Sequence, residues 1–113
     1  MPAGQLPDEL IELIAERFRA IGEPVRIRIL EQLRGEAKTV QQLVAALGTS
    51  QQNVSKHLNV LRGLGIVSRT KQGMYAYYAI QDQSLLRVCD EVCGSLRQQI
   101  NELHRLIGED VSA

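Results

Sequence analysis

Residues 52–59 place amides, a hydroxyl and an ammonium group on one face of a predicted helix. Val54, Leu58 and Leu61 recur at i, i+4 and i+7, which predicts a buried stripe on that helix. Glutamine and asparagine can bond adenine in a bidentate way, and lysine reaches guanine or phosphate. An ordinary solvated helix face is the alternative interpretation of the same composition. The residues predicted to contact DNA on this helix are Gln52, Ser55, Lys56 and Asn59, with His57 on the flank.

Cys89 and Cys93 stand at i and i+4, so their thiols are predicted to share one face of a helix. Thiolates select soft ions, which favours trivalent arsenic or antimony, or a soft divalent metal ion such as cadmium. Trivalent arsenic prefers three thiolates, so a third ligand would have to come from a second copy of the chain. Because cysteine also behaves as a small apolar residue, both side chains alternatively only fill space.

The same two cysteines also fit a redox switch. An intrachain disulfide between helical i and i+4 positions is strained, and strain makes a disulfide labile. A disulfide across a dimer or a polysulfide bridge avoids that distortion. The residues alone do not separate a metalloid from an oxidant.

Residues 39–63 are predicted to form two short helices joined by a tight turn, a helix-turn-helix. Thr39 and Gln42 have the spacing of a capping box at the start of the first helix. Gly48 is predicted to end that helix, and the second begins at Thr49 or Ser50.

Residues 66–80 form two β-type runs around the predicted loop Lys71-Gln72-Gly73, which indicates a hairpin. After a helix-turn-helix such a hairpin is a wing. Its predicted contacts with phosphate or the minor groove are Arg69, Lys71 and Gln72. Strands alternate their faces, so Tyr78 is expected to pack in the core.

Charge is unevenly distributed although 13 Lys and Arg balance 13 Asp and Glu. Between Glu36 and Asp82 there is no carboxylate, and the cations that lie there are Lys38, Lys56, Arg62, Arg69 and Lys71. A basic helix followed by a basic hairpin is typical of a surface that binds duplex DNA.

The flanking segments are predicted to be helical, and the last one, residues 84–107, carries a coiled-coil-like seam. Its apolar residues alternate in steps of three and four, which favours a partner helix. With 113 residues in a single predicted domain, the chain is expected to form a homodimer. The cysteines lie on this seam, and its predicted dimer contacts are Leu86, Leu96, Ile100, Leu103 and Ile107.

Composition excludes several classes of protein. No apolar run approaches the length of a membrane span and no signal peptide is recognisable, so we expect a cytoplasmic protein with no membrane partner. In that compartment the two cysteines are expected to be reduced. No phosphate loop, zinc-protease motif or nucleophile with a paired base supports an enzyme.

The segments PVRIRILEQL and TVQQLVAALGTSQQNVSKHLNVLRGLGIVSRTKQGMYAYYAI resemble the winged helix-turn-helix of the ArsR/SmtB family of bacterial metal- and redox-responsive repressors. The resemblance runs from about Leu10 to about Ile107 and is most specific in SQQNVSKHLNVLRGLGIV and GMYAYY. It implies a mainly α fold with a small β-hairpin (α+β) that dimerises through its terminal helices. It also implies a homodimeric repressor that binds an inverted-repeat operator in double-stranded DNA and is released by an inducer.

The sensing residues of the family are largely missing. The positions that match the terminal-helix zinc site of the family are Asp82, Ser84, Ser95 and Gln98, so three of four ligands are absent. Thr39 and Gln41 stand where arsenic and cadmium sensors carry thiols. Cys89 and Cys93 therefore remain as the predicted site for a thiophilic ion, with a redox- or sulfur-responsive repressor as the alternative. A winged-helix protein-interaction module without an inducer site is a further alternative.

Overall fold

The computed structural model describes residues 4–108, and within them it contains five helices and one two-stranded antiparallel sheet. This architecture confirms the predicted mainly α winged helix-turn-helix with a small hairpin. In chain order the elements are α1 (Asp8–Ile21), α2 (Pro24–Gln32), α3 (Val40–Leu47), α4 (Gln51–Gly63), β1 (Val67–Gln72), β2 (Tyr75–Ile80) and α5 (Ser84–Leu106).

The helix starts follow the capping chemistry of the sequence. The predicted capping box is present in α3, where Thr39 Oγ1 accepts from the Gln42 amide at 3.2 Å and the Thr39 amide donates to Gln42 Oε1 at 2.9 Å. Gly48 ends α3 in the left-handed conformation with φ 66°, which glycine adopts without steric cost. In α2, Pro24 occupies the first turn and the Glu23 carboxylate accepts from the Arg26 amide at 3.0 Å.

The hairpin is paired from Val67 with Ile80 to Gln72 with Tyr75. The predicted loop is therefore corrected: Lys71 and Gln72 lie in β1, and the turn consists of Gly73 and Met74. Gly73 has φ 62°, which a two-residue hairpin turn of this kind requires of its first residue. Strand pairing extends β1 despite its loop-type residues, because each residue added to β1 gains a pairing partner in β2.

An isolated β-bridge between Lys38 and Tyr78 joins the hairpin to the segment that precedes α3. The Lys38 amide donates to the Tyr78 carbonyl at 2.9 Å, and the Tyr78 amide donates to the Lys38 carbonyl at 2.8 Å. The side chain of Tyr78 is buried, which confirms its predicted place in the core. The segment that precedes α3 is thus tied to the wing through backbone hydrogen bonds.

One apolar core joins α2, α3, α4 and the base of the hairpin. Its fully buried side chains are Ile29, Leu30, Leu33, Leu43, Val54, Leu58, Leu61, Ile66 and Val67. The stripe predicted for α4 is therefore confirmed as core.

The chain divides into two compact units, one up to Asp82 and one from Gln83, whereas the sequence was interpreted as one domain. The second unit contains α5, whose observed limits agree with the predicted helix to within one residue. Among the helices formed by residues 4–108, none combines the length and the apolar character that a membrane crossing requires.

Candidate nucleic-acid interface

The outer face of α4 carries the predicted base-reading side chains. Gln52, Lys56 and Asn59 are exposed, and Ser55 is half-buried. The helix begins at Ser50, whose hydroxyl accepts from the Asn53 amide at 3.1 Å, while the Asn53 side chain donates to Thr49 Oγ1 at 3.0 Å. These bonds fix the turn between α3 and α4 and hence the direction of the exposed face.

The structure corrects the predicted exposure of His57, whose relative exposure is only 7%. Its Nε2 lies 3.7 Å from Oε2 of Glu23, the residue that caps α2. Burial lowers the pKa of His57 below its usual 6.5, the Glu23 carboxylate acts to raise it, and the charges of Lys56 and Arg26 lower it. Because a buried side chain does not reach a DNA groove, His57 is left out of the contacts proposed below.

The wing presents its two cations on one face of the hairpin. Arg69 lies opposite Tyr78 and Lys71 opposite Ala76, so both belong to the face that enters the core at Tyr78. Gln72 lies on the other face, opposite Tyr75. All three predicted wing contacts are exposed. Arg69 and Lys71 lie beyond the buried base of the hairpin, so their charged groups are exposed to solvent.

Arg17 of α1 joins the end of α4 to the end of the wing. Its Nη2 donates to the Leu64 carbonyl at 2.9 Å, and its Nη1 donates to Asp82 Oδ2 at 3.2 Å. The two bonds tie the end of α4 and the end of the hairpin to α1. Sequence reasoning missed this residue, since the partners are 47 and 65 positions away and no local pattern marks them.

Not every cation of the carboxylate-free segment is available to a ligand. The ammonium group of Lys38 donates to the Gln32 carbonyl at the end of α2, and its side chain is half-buried. Lys56, Arg62, Arg69 and Lys71 are exposed. The cationic surface therefore consists of α4 and the wing.

The two cysteines lie one turn apart on α5, Cys89 half-buried and Cys93 exposed, and neither forms a disulfide. Within residues 4–108, no three side chains of His, Cys, Asp or Glu are grouped closely enough to hold a metal ion. One chain therefore supplies two thiols on a common helix face, which is one ligand fewer than trivalent arsenic prefers.

The seam of α5 is largely exposed in the single chain. Leu96, Ile100 and Leu103 have relative exposures of 50%, 48% and 58%. Leu86, also predicted for the seam, is buried, with a relative exposure of 5%, and its role as a dimer contact stays a prediction. Ile107 is exposed and follows the last residue of α5.

The first helix also exposes large apolar side chains. They lie along α1 at helical spacing and are Leu10, Ile11, Leu13, Ile14 and Phe18. Scattered exposed apolar residues are ordinary, whereas a contiguous apolar face is typical of an interaction surface.

Comparison with known proteins identifies related regulators. The family model described as "Bacterial regulatory protein, arsR family" matches residues 23–69. The regulator CmtR of Mycobacterium tuberculosis is 40% identical over 79 residues, which is 70% of this chain and 67% of CmtR. The repressor SmtB of the same species is 37% identical over 82 residues, or 73% of this chain, and the matched part spans 61% of the length of SmtB. Both are named as regulators of transcription and not as enzymes.

The fold has a close counterpart in a solved structure. A solution structure from Mycobacterium bovis, described as a homodimeric winged helix-turn-helix DNA-binding domain, superposes with a TM-score of 0.75. The superposition covers 89% of this chain and 95% of that one at 23% identity, so it supports the fold alone.

Proposed function

The chain belongs to the arsR family of bacterial regulatory proteins, and on that premise we propose that it is a DNA-binding transcriptional repressor. The observation that carries the proposal is the outer face of α4, where Gln52, Lys56 and Asn59 are exposed on a helix whose other face is core. Major-groove reading needs such a helix, with amide and cationic side chains on its outward side.

The wing extends the proposed contact to the DNA backbone. Arg69 and Lys71 are exposed in β1, next to a turn with Met74 at 92% relative exposure. Cations at these positions neutralise phosphates, which contributes affinity without selecting sequence. We propose that α4 supplies the specificity of the complex and that the wing supplies part of its salt-dependent affinity.

The salt dependence of DNA binding tests this assignment. Replacing Lys71 with Ala should weaken binding to every duplex alike and reduce the slope of log affinity against log salt by about 1. Arg97→Ala is the matched control, since Arg97 is an exposed cation of α5. Fluorescence anisotropy measured from low to high salt provides both slopes. Absence of any salt-dependent binding to duplex DNA would favour the protein-interaction module instead.

A homodimer on an inverted-repeat operator fits the exposed apolar faces of α1 and α5. One recognition helix reads one half-site, and two-fold symmetry places a second recognition helix one helical turn of DNA away. The exposed seam residues Leu96, Ile100 and Leu103 are the proposed contacts of α5 with a second copy.

We propose further that a thiol-reactive inducer acts at Cys89 and Cys93, most favourably trivalent arsenic or antimony or another thiophilic metal ion. The two thiols share one face of α5, and the partner copy of a dimer would supply further thiols. Binding shifts the equilibrium only if the ion prefers the arrangement with low DNA affinity. A redox- or sulfur-responsive switch uses the same side chains, and the choice of test compound distinguishes the two.

Serine substitution tests the switch, because serine keeps the shape of cysteine but not its affinity for soft ions. Cys89→Ser and Cys93→Ser should each retain operator binding and lose release by arsenite, cadmium or oxidant. Ser95→Ala is the control substitution on the same helix. Release that persists in the double Cys→Ser variant would rule out the thiol switch and leave the repressor assignment intact.

A further inference from the structure

A groove of about 440 Å³ runs between α1, α2 and the C-terminal half of α4. Its volume falls within the roughly 300 to 1,000 Å³ of ligand pockets in proteins, and the groove is shallow and open to solvent. One wall consists of Asn59, Val60 and Gly63 of α4 with Leu64, which follows the helix. The other wall consists of Glu16, Arg19 and Ala20 of α1 with Arg26 of α2.

Two guanidinium groups give the groove its chemistry. The Arg26 guanidinium donates one long hydrogen bond, from Nη2 to the Arg19 carbonyl at 3.5 Å, and its Nε is buried without an acceptor in the described part of the chain, so only its Nη groups can reach a ligand. Guanidinium carries five N–H donors in a planar fork that matches a carboxylate or phosphate. Arg19 is exposed at the same groove. Arg19 and the Nη groups of Arg26 therefore retain donor capacity for an anion.

The remaining lining restricts the kind of anion. Ala20, Val60 and Leu64 provide an apolar surface, and the Asn59 amide adds one neutral polar group. Glu16 places a carboxylate in the same groove, so the lining carries two cations against one anion and favours a ligand of low negative charge over a polyanion such as a DNA backbone. A small molecule with one anionic head and an apolar body satisfies both the arginines and the apolar surface.

We propose that this groove binds a small organic anion, either a carboxylate or a phosphate monoester, as an effector site separate from the cysteines. Arg19 and Arg26 hold the anionic head, and Val60 and Leu64 contact the apolar body. This part of the proposal does not depend on DNA binding. Its regulatory consequence rests on the proposed function: Asn59 belongs to the outward face of α4, so an anion held there opposes the approach of DNA phosphates.

Calorimetric titration of the full chain with phenyl phosphate and with benzoate tests the site directly. We expect saturable binding of at least one probe, and the preferred probe identifies the head group. Arg19→Gln and Arg26→Gln should each weaken that binding about tenfold or more. Arg26→Lys, which keeps the charge but not the fork, should fall between wild type and Arg26→Gln. The matched control is Arg97→Gln on α5, which should bind the probe as wild type does.

Two outcomes would overturn the proposal. One is the absence of saturable binding of either probe, and the other is equal binding in wild type and in Arg19→Gln with an unchanged melting temperature. If no probe binds but Arg19→Gln lowers the salt slope of operator binding by about 1, the groove holds a DNA phosphate instead. Probe binding by a chain that fails to bind DNA would retain the anion site and reject the repressor.

Discussion

Helices α4 and α5 carry apolar residues at similar helical spacing, but the stripe of α4 is buried whereas α5 beyond its first two turns leaves its apolar residues exposed. Val54, Leu58 and Leu61 of α4 have relative exposures of 0%, because α2, α3 and β1 pack over them. Leu96 and Ile100 of α5 are about half exposed, at 50% and 48%. Periodicity therefore establishes which face of a helix is apolar, but it does not establish what covers that face.

The difference in burial indicates that α4 and α5 have different roles in the chain. The apolar stripe of α4 is packed within its own unit, so the opposite face of the helix is held in a fixed direction toward solvent. The seam of α5 is left for another surface, and a contiguous exposed apolar face is stabilised by association. One region presents the surface that we propose reads DNA, and the other presents an apolar face that we propose is covered by a second copy.

The largest effect is expected from a substitution that disrupts the seam of α5. Leu96→Glu should abolish dimerisation, because burying an unpaired carboxylate between two copies costs several kcal/mol. The monomer should stay folded, since Leu96 is half exposed in the single chain. Sedimentation velocity at about 10 µM, together with circular dichroism, distinguishes dissociation from unfolding.

Gln98→Glu is the control for this substitution. It adds the same charge two residues further along α5, about 200° around the helix from Leu96. This variant should remain dimeric. A wild-type chain that sediments as a monomer at the same concentration would contradict the proposed role of the seam.

A smaller effect is expected on the reading face of α4. Gln52→Ala should cost about 1 to 3 kcal/mol of operator binding if its amide makes a bidentate base contact. Binding to unrelated duplexes should change little, because the substitution removes no charge. Anisotropy titrations with operator and scrambled duplexes separate the two affinities.

Gln98→Ala provides the comparison, since it removes the same amide from the exposed surface of α5. Equal losses on operator and scrambled DNA would assign Gln52 to the backbone rather than to a base. An unchanged affinity for both duplexes would remove Gln52 from the proposed interface.

Local chemistry explains why much of the fold was predictable from the sequence. The capping box of Thr39 and Gln42, Gly48 at the end of α3, and Pro24 at the start of α2 act within a few residues of themselves. Their interactions depend little on the rest of the chain. The limits of α3 and the start of α4 therefore followed closely from residue types and spacing.

The errors arose where contacts between distant residues decide the outcome. His57 lies about 60° around α4 from the Val54 stripe, and only the packing of α4 against α2 buries it beside Glu23. The limits of the wing loop were wrong because strand register, and not composition, places Gln72 opposite Tyr75. The hydrogen bonds of Arg17 and the groove between α1, α2 and α4 join elements far apart in sequence, which a local pattern cannot reveal.

The smallest expected effect concerns His57, a polar side chain that is buried on the packed side of α4. Its pKa in the folded state is lowered from 6.5, chiefly by burial, so the unfolded chain takes up the proton more readily. The contribution of His57 to the free energy of unfolding is therefore fully present above pH 6.5 and is lost as the pH falls through the folded pKa.

His57→Gln should remove this pH dependence. Glu23→Gln should deepen it, because the Glu23 carboxylate acts to raise the pKa of His57 and glutamine still offers an oxygen to cap α2. Urea unfolding of the three proteins between about pH 8 and 5 measures these slopes. Parallel profiles for wild type and His57→Gln would show that burial of this imidazole does not couple proton uptake to the stability of the reading unit.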